Sequence, residues 1–306
     1  MTDAPTRCGL VALIGEPNAG KSTLMNRMVG AKISIVTHKV QTTRARIRGI
    51  ATEGGSQLVF VDTPGLFPPR RRLDRAMVSA AWAGAADADV VVLLIEAHRG
   101  LTEGVSAILE RLAATLQAGR AVALAINKID RVPAERLLGL TTEMNAARDF
   151  AATFMISAER GSGVEDLERW LAETVPEGPW LYPEDQIADI TERQIAAEIT
   201  REKLTLRLHQ ELPYQLTVET EGWQERRDGT VRIDQIVYVA RDGHKGIALG
   251  PKGATIKAVG QAARADLRAF LGRDVHLFLT VKVRPGWLEE AERYAEIGLD
   301  YRDGGS

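Results

Sequence analysis

Gly15-Glu16-Pro17-Asn18-Ala19-Gly20-Lys21-Ser22, followed by Thr23, decides the reading of this chain. It fits G-x-x-x-x-G-K-[ST], a loop that cradles phosphates. The apolar run Leu10-Val11-Ala12-Leu13-Ile14 before it reads as a buried strand, and Ser22-Thr23-Leu24-Met25-Asn26-Arg27-Met28 after it reads as a helix start. That context suits the chemistry. Glycines let backbone N–H groups face phosphate oxygens, and the helix N-terminus adds partial positive charge. Lys21 is placed to reach the β- and γ-phosphates, and the Ser22 hydroxyl to hold Mg²⁺.

The chain has 306 residues, which favours two domains. It is 45% hydrophobic with a formal net charge of -2, so a nucleic-acid surface must be local. Its one cysteine, Cys8, cannot form an internal disulfide, which suits a reducing cytoplasm. The first seven residues lack the apolar core of a signal peptide, and no run approaches membrane-spanning length.

Up to about Val175, apolar runs alternate with helical patterns. Strands are predicted at 10–14, 46–51, 57–61, 90–95, 121–126 and 153–156. Helices are predicted at 73–86, 103–116, 134–150 and 164–174, the last opened by a capping box of Ser162 and Glu165. The alternation predicts a mostly parallel sheet with helices on both faces, and ligands then bind at the carboxyl ends of the strands.

The remaining motifs fall at those ends. Asp62-Thr63-Pro64-Gly65 follows a strand; Asp62 can hold Mg²⁺ through its water shell, and Gly65 leaves an N–H free for a γ-phosphate. Alone, these four residues would read as a turn. Asn127-Lys128-Ile129-Asp130 follows another strand. The Asp130 carboxylate can accept two hydrogen bonds from guanine, a pair that adenine does not offer. Lys128 can lie along the base and Asn127 can brace the loops; the competing reading makes Asp130 a helix cap. Ser157-Ala158-Glu159 can close the base pocket through backbone N–H groups.

The segment Pro176-Glu177-Gly178-Pro179-Trp180-Leu181-Tyr182-Pro183 breaks both helix and strand and marks a domain boundary. The expected division is residues 1–178, a linker at 179–190, and 191–306. The second part reads as a helix over 191–212, strands at 215–221 and 231–240, a short element at 244–249, the loop Gly250-Pro251-Lys252-Gly253, a helix over 254–271 and a strand at 275–283. Between Arg241 and Gly286 nine Lys/Arg stand against three Asp, a local basic footprint. Two glycines let this loop approach a nucleic-acid backbone, with Lys252, Lys245 and Lys257 near phosphates.

Taken together, GEPNAGKS, DTPG, NKID and SAE resemble the translation-factor class of GTPases. Val40-Gln41-Thr42-Thr43-Arg44 resembles the first switch of the Era family of bacterial ribosome-assembly GTPases. The α-β-β-α-α-β order with its G-x-x-G loop resembles a type II KH domain. Phrases such as Glu211-Leu212-Pro213-Tyr214 extend the likeness over nearly the whole chain. The resemblance implies an α/β P-loop GTPase domain followed by an α+β type II KH domain. It implies GTP hydrolysis with Mg²⁺, and binding of the 3′ end of 16S ribosomal RNA during assembly of the small subunit. It also implies a cytoplasmic monomer with weak peripheral contact at the inner face of the cell membrane.

By that resemblance Thr43, with Thr42 as its competitor, joins Mg²⁺ and the γ-phosphate, and Lys21, Thr43 and Gly65 are the catalytic set. Leu66 stands where Ras-type enzymes carry a water-orienting glutamine, which implies slow intrinsic turnover. Asn18 matches the asparagine that binds K⁺ in several relatives. A signalling GTPase whose basic domain docks a protein or a membrane is the alternative reading.

Overall fold

The computed structural model describes residues 5–37, 39, 47–69, 72–115, 119–209 and 212–287. Val40 to Arg46, including Thr42 and Thr43, lie outside them, as do Arg70, Arg71 and the chain beyond Trp287. The chain divides into two compact units. One holds the described residues up to Ser34 together with 47–189; the other holds 190–287 together with residues 35–37 and 39.

In the first unit, β1 (Arg7–Ile14), β2 (Ile47–Glu53), β3 (Ser56–Asp62), β4 (Val90–Glu96), β5 (Ala121–Asn127) and β6 (Ala152–Met155) form one sheet in the order β2-β3-β1-β4-β5-β6. All neighbours are parallel except the β2–β3 hairpin. Strands β3 and β4 are buried at every position. Continuous Val/Leu/Ile/Phe runs of this kind are what a sheet covered on both faces requires. The covering helices are α1 (Lys21–Val29), α2 (Arg72–Asp87), α3 (Glu103–Thr115), α4 (Ala134–Ala147) and α5 (Val164–Thr174). Ile14, Val91, Leu93, Leu124 and Ile126 meet Trp82, Leu112 and Met144 in one core cluster of the unit.

Three local expectations are corrected. α4 ends at Ala147 rather than at Phe150, because Arg148 turns extended at φ -157°. The Ser162–Glu165 capping box does not form: Gly163, at φ 68°, occupies the cap position, and no side chain caps α5. The helix predicted over 191–212 stops at Arg207, where Leu208 turns extended.

Residues 180–189 run along the first unit. The buried Gln57 side chain accepts from the Leu181 and Tyr182 N–H groups and donates to the Tyr182 carbonyl. Ile50 N–H donates to the Ile187 carbonyl, and the Asp189 carboxylate accepts from Arg48 N–H.

The second unit has the order α6 (Glu192–Arg207), β7 (Leu216–Glu225), β8 (Val231–Val239), α7 (Asp242–Leu249), α8 (Ala254–Leu271), β9 (Val275–Val283). This is the predicted order. β7 and β8 are antiparallel; β8 and β9 are parallel, joined through α7 and α8. Helix α6 opens with a true capping box, Thr191 with Gln194. Leu204, Leu216, Val237, Val259 and Val281 form its core.

Candidate nucleotide and RNA sites

Gly15, Asp62, Asn127 and Ser157 stand at or just beyond the carboxyl ends of β1, β3, β5 and β6. The doubly wound topology thus brings motifs over 140 residues apart onto one rim of the sheet. Helix α1 starts directly behind Gly20, so its free N–H groups face the same rim.

Lys21 is buried, and its ammonium donates to the carbonyls of Gly15 (3.1 Å) and Glu16 (3.0 Å). Burial pulls its pKa down to about 8, against the carboxylates of Asp62, Glu16 and Glu96, which favour the charged form. Ser22 Oγ donates to Asp62 Oδ2 at 2.8 Å. Asp62 is fully buried, and Thr63 Oγ1 donates to the Leu13 carbonyl. An hydroxyl and a carboxylate side by side form a hard-oxygen pair that suits Mg²⁺, with phosphate and water oxygens completing its shell. Among the described residues no group of three or more His, Cys, Asp or Glu could hold a metal ion. Gly65 lies so close to Pro17 that a Cβ would come within 2.8 Å of the Pro17 backbone.

Asn127 performs the bracing read from its motif. Its Nδ2 donates to the Ala19 carbonyl (2.8 Å), and its Oδ1 accepts from the N–H groups of Lys128 (2.8 Å) and Ala158 (3.0 Å). One side chain therefore ties together the phosphate loop and both base-side loops. The Ala158 amide, read from sequence as a base contact, makes this brace. Lys128 adopts φ 64°, and its ammonium donates to the Asn18 carbonyl at 2.7 Å. Asp130 does not cap a helix: it sits in a 3-10 turn, Ile129–Arg131, and accepts from Ser157 Oγ at 2.6 Å. That hydrogen bond, aided by Arg160 and Arg131, holds its carboxyl below the usual carboxylate range.

Leu66 is buried in the core cluster with Ile14 and Trp82, and its N–H donates to the Gly15 carbonyl. Thr23 is half-buried on the first turn of α1. Thr43 falls outside the described residues.

Several contributors carry no motif. Ser34 Oγ donates to Asp62 Oδ2 at 2.6 Å, beside Ser22. The Asn26 carboxamide clamps Ile33 and Ser34 by three hydrogen bonds. Arg27 donates to the carbonyls of Ala158 and Glu159. Nothing in the spacing of these residues sets them apart from ordinary polar positions.

In the second unit the loop between α7 and α8 has Gly250 at φ 72°, Lys252 at φ 49° and Gly253 at φ 77°. A Cβ at Gly250 would overlap Thr255 Oγ1 at 2.1 Å, whereas none at Gly253 would meet anything within 4 Å. Gly250 is needed for packing and Gly253 for its backbone angle on an open face. Pro251, Lys252 and Lys257 are exposed and Lys245 is half-exposed. Beside the loop lies a cavity of about 710 Å³ lined by Arg207, His209, Arg241, Ile247, Pro251 and others. It offers positive charge and apolar surface together, the combination that single-stranded nucleic acid uses.

A phosphate loop, an Asp at the guanine-reading position and a brace joining them define a P-loop GTPase; the second unit defines an appended KH domain. The 50S ribosome-binding GTPase family matches residues 10–128, and the KH domain family matches residues 211–288. GTPase Era of Dinoroseobacter shibae is 74% identical over 98% of this chain and 98% of its own length. The crystal structure of a point variant of Aquifex aeolicus Era bound to GDP.AlF4- matches with a TM-score of 0.88 and 34% identity, over 96% of this chain and 99% of that one. A structure of Era in complex with MgGDPNP and nucleotides 1506-1542 of 16S ribosomal RNA matches with the same TM-score and coverage. The chain belongs to the GTPase Era family.

Proposed function

We propose that this GTPase couples the state of its bound guanine nucleotide to capture of the 3′ end of 16S ribosomal RNA, and so acts in maturation of the small ribosomal subunit. The observation that carries the reading is the pairing of two built sites in one chain: the Asn127-braced nucleotide rim and the open glycine loop beside a basic, partly apolar cavity. The relative solved with MgGDPNP and an rRNA fragment supports the same pairing.

Lys21 and the amides at the start of α1 bind the phosphates. Asp130 accepts from the guanine edge, Lys128 covers a face of the base, and Asn127 keeps the loops in register. Ser22 and Asp62 would hold Mg²⁺, with Thr43 joining them in the triphosphate state; bound there, the ion would supply neutralisation of charge on the phosphate oxygens. The buried Leu66 side chain has no hydrogen-bonding group, so attacking water must be oriented by backbone, by a partner or by a second cation, and turnover is slow without them. Asn18 is the residue for a K⁺ ion. Gly250, Pro251, Lys252 and Gly253 carry the RNA backbone, with Lys245 and Lys257 on flanking phosphates.

Among the described residues no helix is long and apolar enough to cross a membrane. Filter binding to an RNA fragment from the 3′ end of the small-subunit RNA tests the reading. Salt-sensitive binding that Gly253→Asp abolishes is expected; no binding at any salt would reject it in favour of a protein- or membrane-docking domain.

A further inference from the structure

Glu96 ends β4 on the same rim of the sheet and belongs to none of the nucleotide motifs. Its side chain is only 9% exposed. Oε2 lies 2.6 Å from the Lys128 ammonium, which also donates to the Asn18 carbonyl of the phosphate loop. The Glu96 carboxylate has further neighbours: the Arg99 guanidinium, 3.7 Å from Oε1, and the His98 imidazole, 3.7 Å from Oε2. Arg99 also reaches Glu16 Oε2 at 3.5 Å, and Thr102 Oγ1 donates to that oxygen at 2.9 Å. A chain of polar contacts thus runs from the phosphate loop through Glu16, Arg99 and Glu96 to Lys128, and back to Asn18.

The Lys128 backbone is fixed at its other end, since its N–H donates to Asn127 Oδ1. With backbone and ammonium both held, the path of the four-carbon stem is set. A lysine loses much rotamer freedom when ordered. Ordering it during folding removes that cost from nucleotide binding. A carboxylate at this point, shielded from water, is a stronger anchor for the ammonium than the backbone carbonyl alone.

We infer that Glu96 is a positioning residue for guanine-nucleotide binding, holding the Lys128 ammonium against the phosphate loop so that the lysine stem lies ready across one face of the base. The inference rests on the proposed reading of Lys128 as the base-covering residue. It assigns Glu96 to affinity and nucleotide residence time, with no part in the bond-breaking step.

The test is stopped-flow binding and release of a fluorescent GDP on the full-length protein, with GTP turnover measured in parallel. Glu96→Gln is expected to weaken GDP binding about tenfold, the loss of one charge-assisted hydrogen bond, chiefly through faster release. Turnover at saturating GTP stays within about twofold. Glu96→Asp, which keeps the charge, recovers part of the loss. In a Lys128→Met background Glu96→Gln adds nothing further, a non-additivity that a merely structural role for Glu96 would not produce. Melting curves identify a misfolded variant, and Glu96→Asp then carries the comparison. If Lys128→Met weakens binding while Glu96→Gln and Glu96→Asp leave it intact, or if the two losses multiply, the assignment of Glu96 is wrong. If Lys128→Met has no effect, the reading of Lys128 fails first and the inference falls with it.

Discussion

The Ser157 hydroxyl donates a 2.6 Å hydrogen bond to Asp130 Oδ1 across the gap between the loops that follow β5 and β6. The carboxylate is thereby ionised and oriented independently of any base, and Arg160, 3.6 Å from Oδ2, supports the same state. A carboxylate so held suits the two-donor edge of guanine.

Replacing that acceptor pair should change the base that is read. Asp130→Asn is expected to weaken GDP by about 100-fold or more, since it sets a donor against a donor in a closed site. The same variant should favour xanthine nucleotides. Ser157→Ala should cost only about three- to tenfold in GDP affinity and keep the guanine preference. Competition among GDP, XDP and ADP for a fluorescent nucleotide checks both. ADP competing as well as GDP would contradict the role of Asp130.

Lys21 makes binding pH-dependent. Burial lowers its folded-state pKa to about 8, below the unfolded value, so the unfolded chain holds more protons between those values and stability rises with pH across that window. Phosphate has the opposite effect, because a polyanion raises the lysine pKa. Binding should therefore take up protons near pH 8, and affinity should fall as pH rises above it. Calorimetry of GDP binding at pH 8 in buffers of differing ionisation enthalpy reads the uptake directly; observed heats that do not vary with the buffer's ionisation enthalpy would sink the idea. Lys21→Ala should abolish tight binding altogether.

The glycine loop can be separated from the nucleotide site. Gly253→Asp puts a side chain at φ 77°, which costs about 1–2 kcal/mol, and adds negative charge on the open face. RNA affinity should collapse while intrinsic GTP turnover stays near wild type. Lys252→Ala should weaken binding modestly and lower the slope of log affinity against log salt by about one. A Gly253→Asp protein that binds RNA normally would show that this loop is not the contact surface.

Turnover should depend on the monovalent cation. With Leu66 buried in the core, a K⁺ ion near Asn18 would supply charge stabilisation that the side chain cannot. GTP hydrolysis should be severalfold faster in KCl than in NaCl at equal ionic strength, and Asn18→Ala should erase the difference. Equal rates in the two salts would remove K⁺ from the mechanism.

Much of this molecule was legible in its residues. Both element orders, the parallel sheet, the phosphate loop and the four nucleotide motifs could be read, because each depends on local periodicity or on a short run of fixed spacing. Helix ends were less legible. Arg148 and Leu208 leave the helix although neither is a strong breaker, and Gly163 takes the cap that Ser162 was expected to make. Such choices are settled by neighbouring packing, which no local pattern records.

The sequence by itself determined the class of chemistry: a glycine-rich turn between strand and helix can hold phosphate, and an aspartate after a buried strand can select guanine. Tertiary structure alone decided which unremarkable side chains complete the site. Ser34 reaches Asp62, Arg27 reaches Ala158 and Glu159, and Glu96 reaches Lys128, across 28 to 132 residues of chain. The physical reason is that a parallel sheet gathers the ends of distant strands on one rim, so contacts of a few ångströms join residues whose separation along the chain carries no signal.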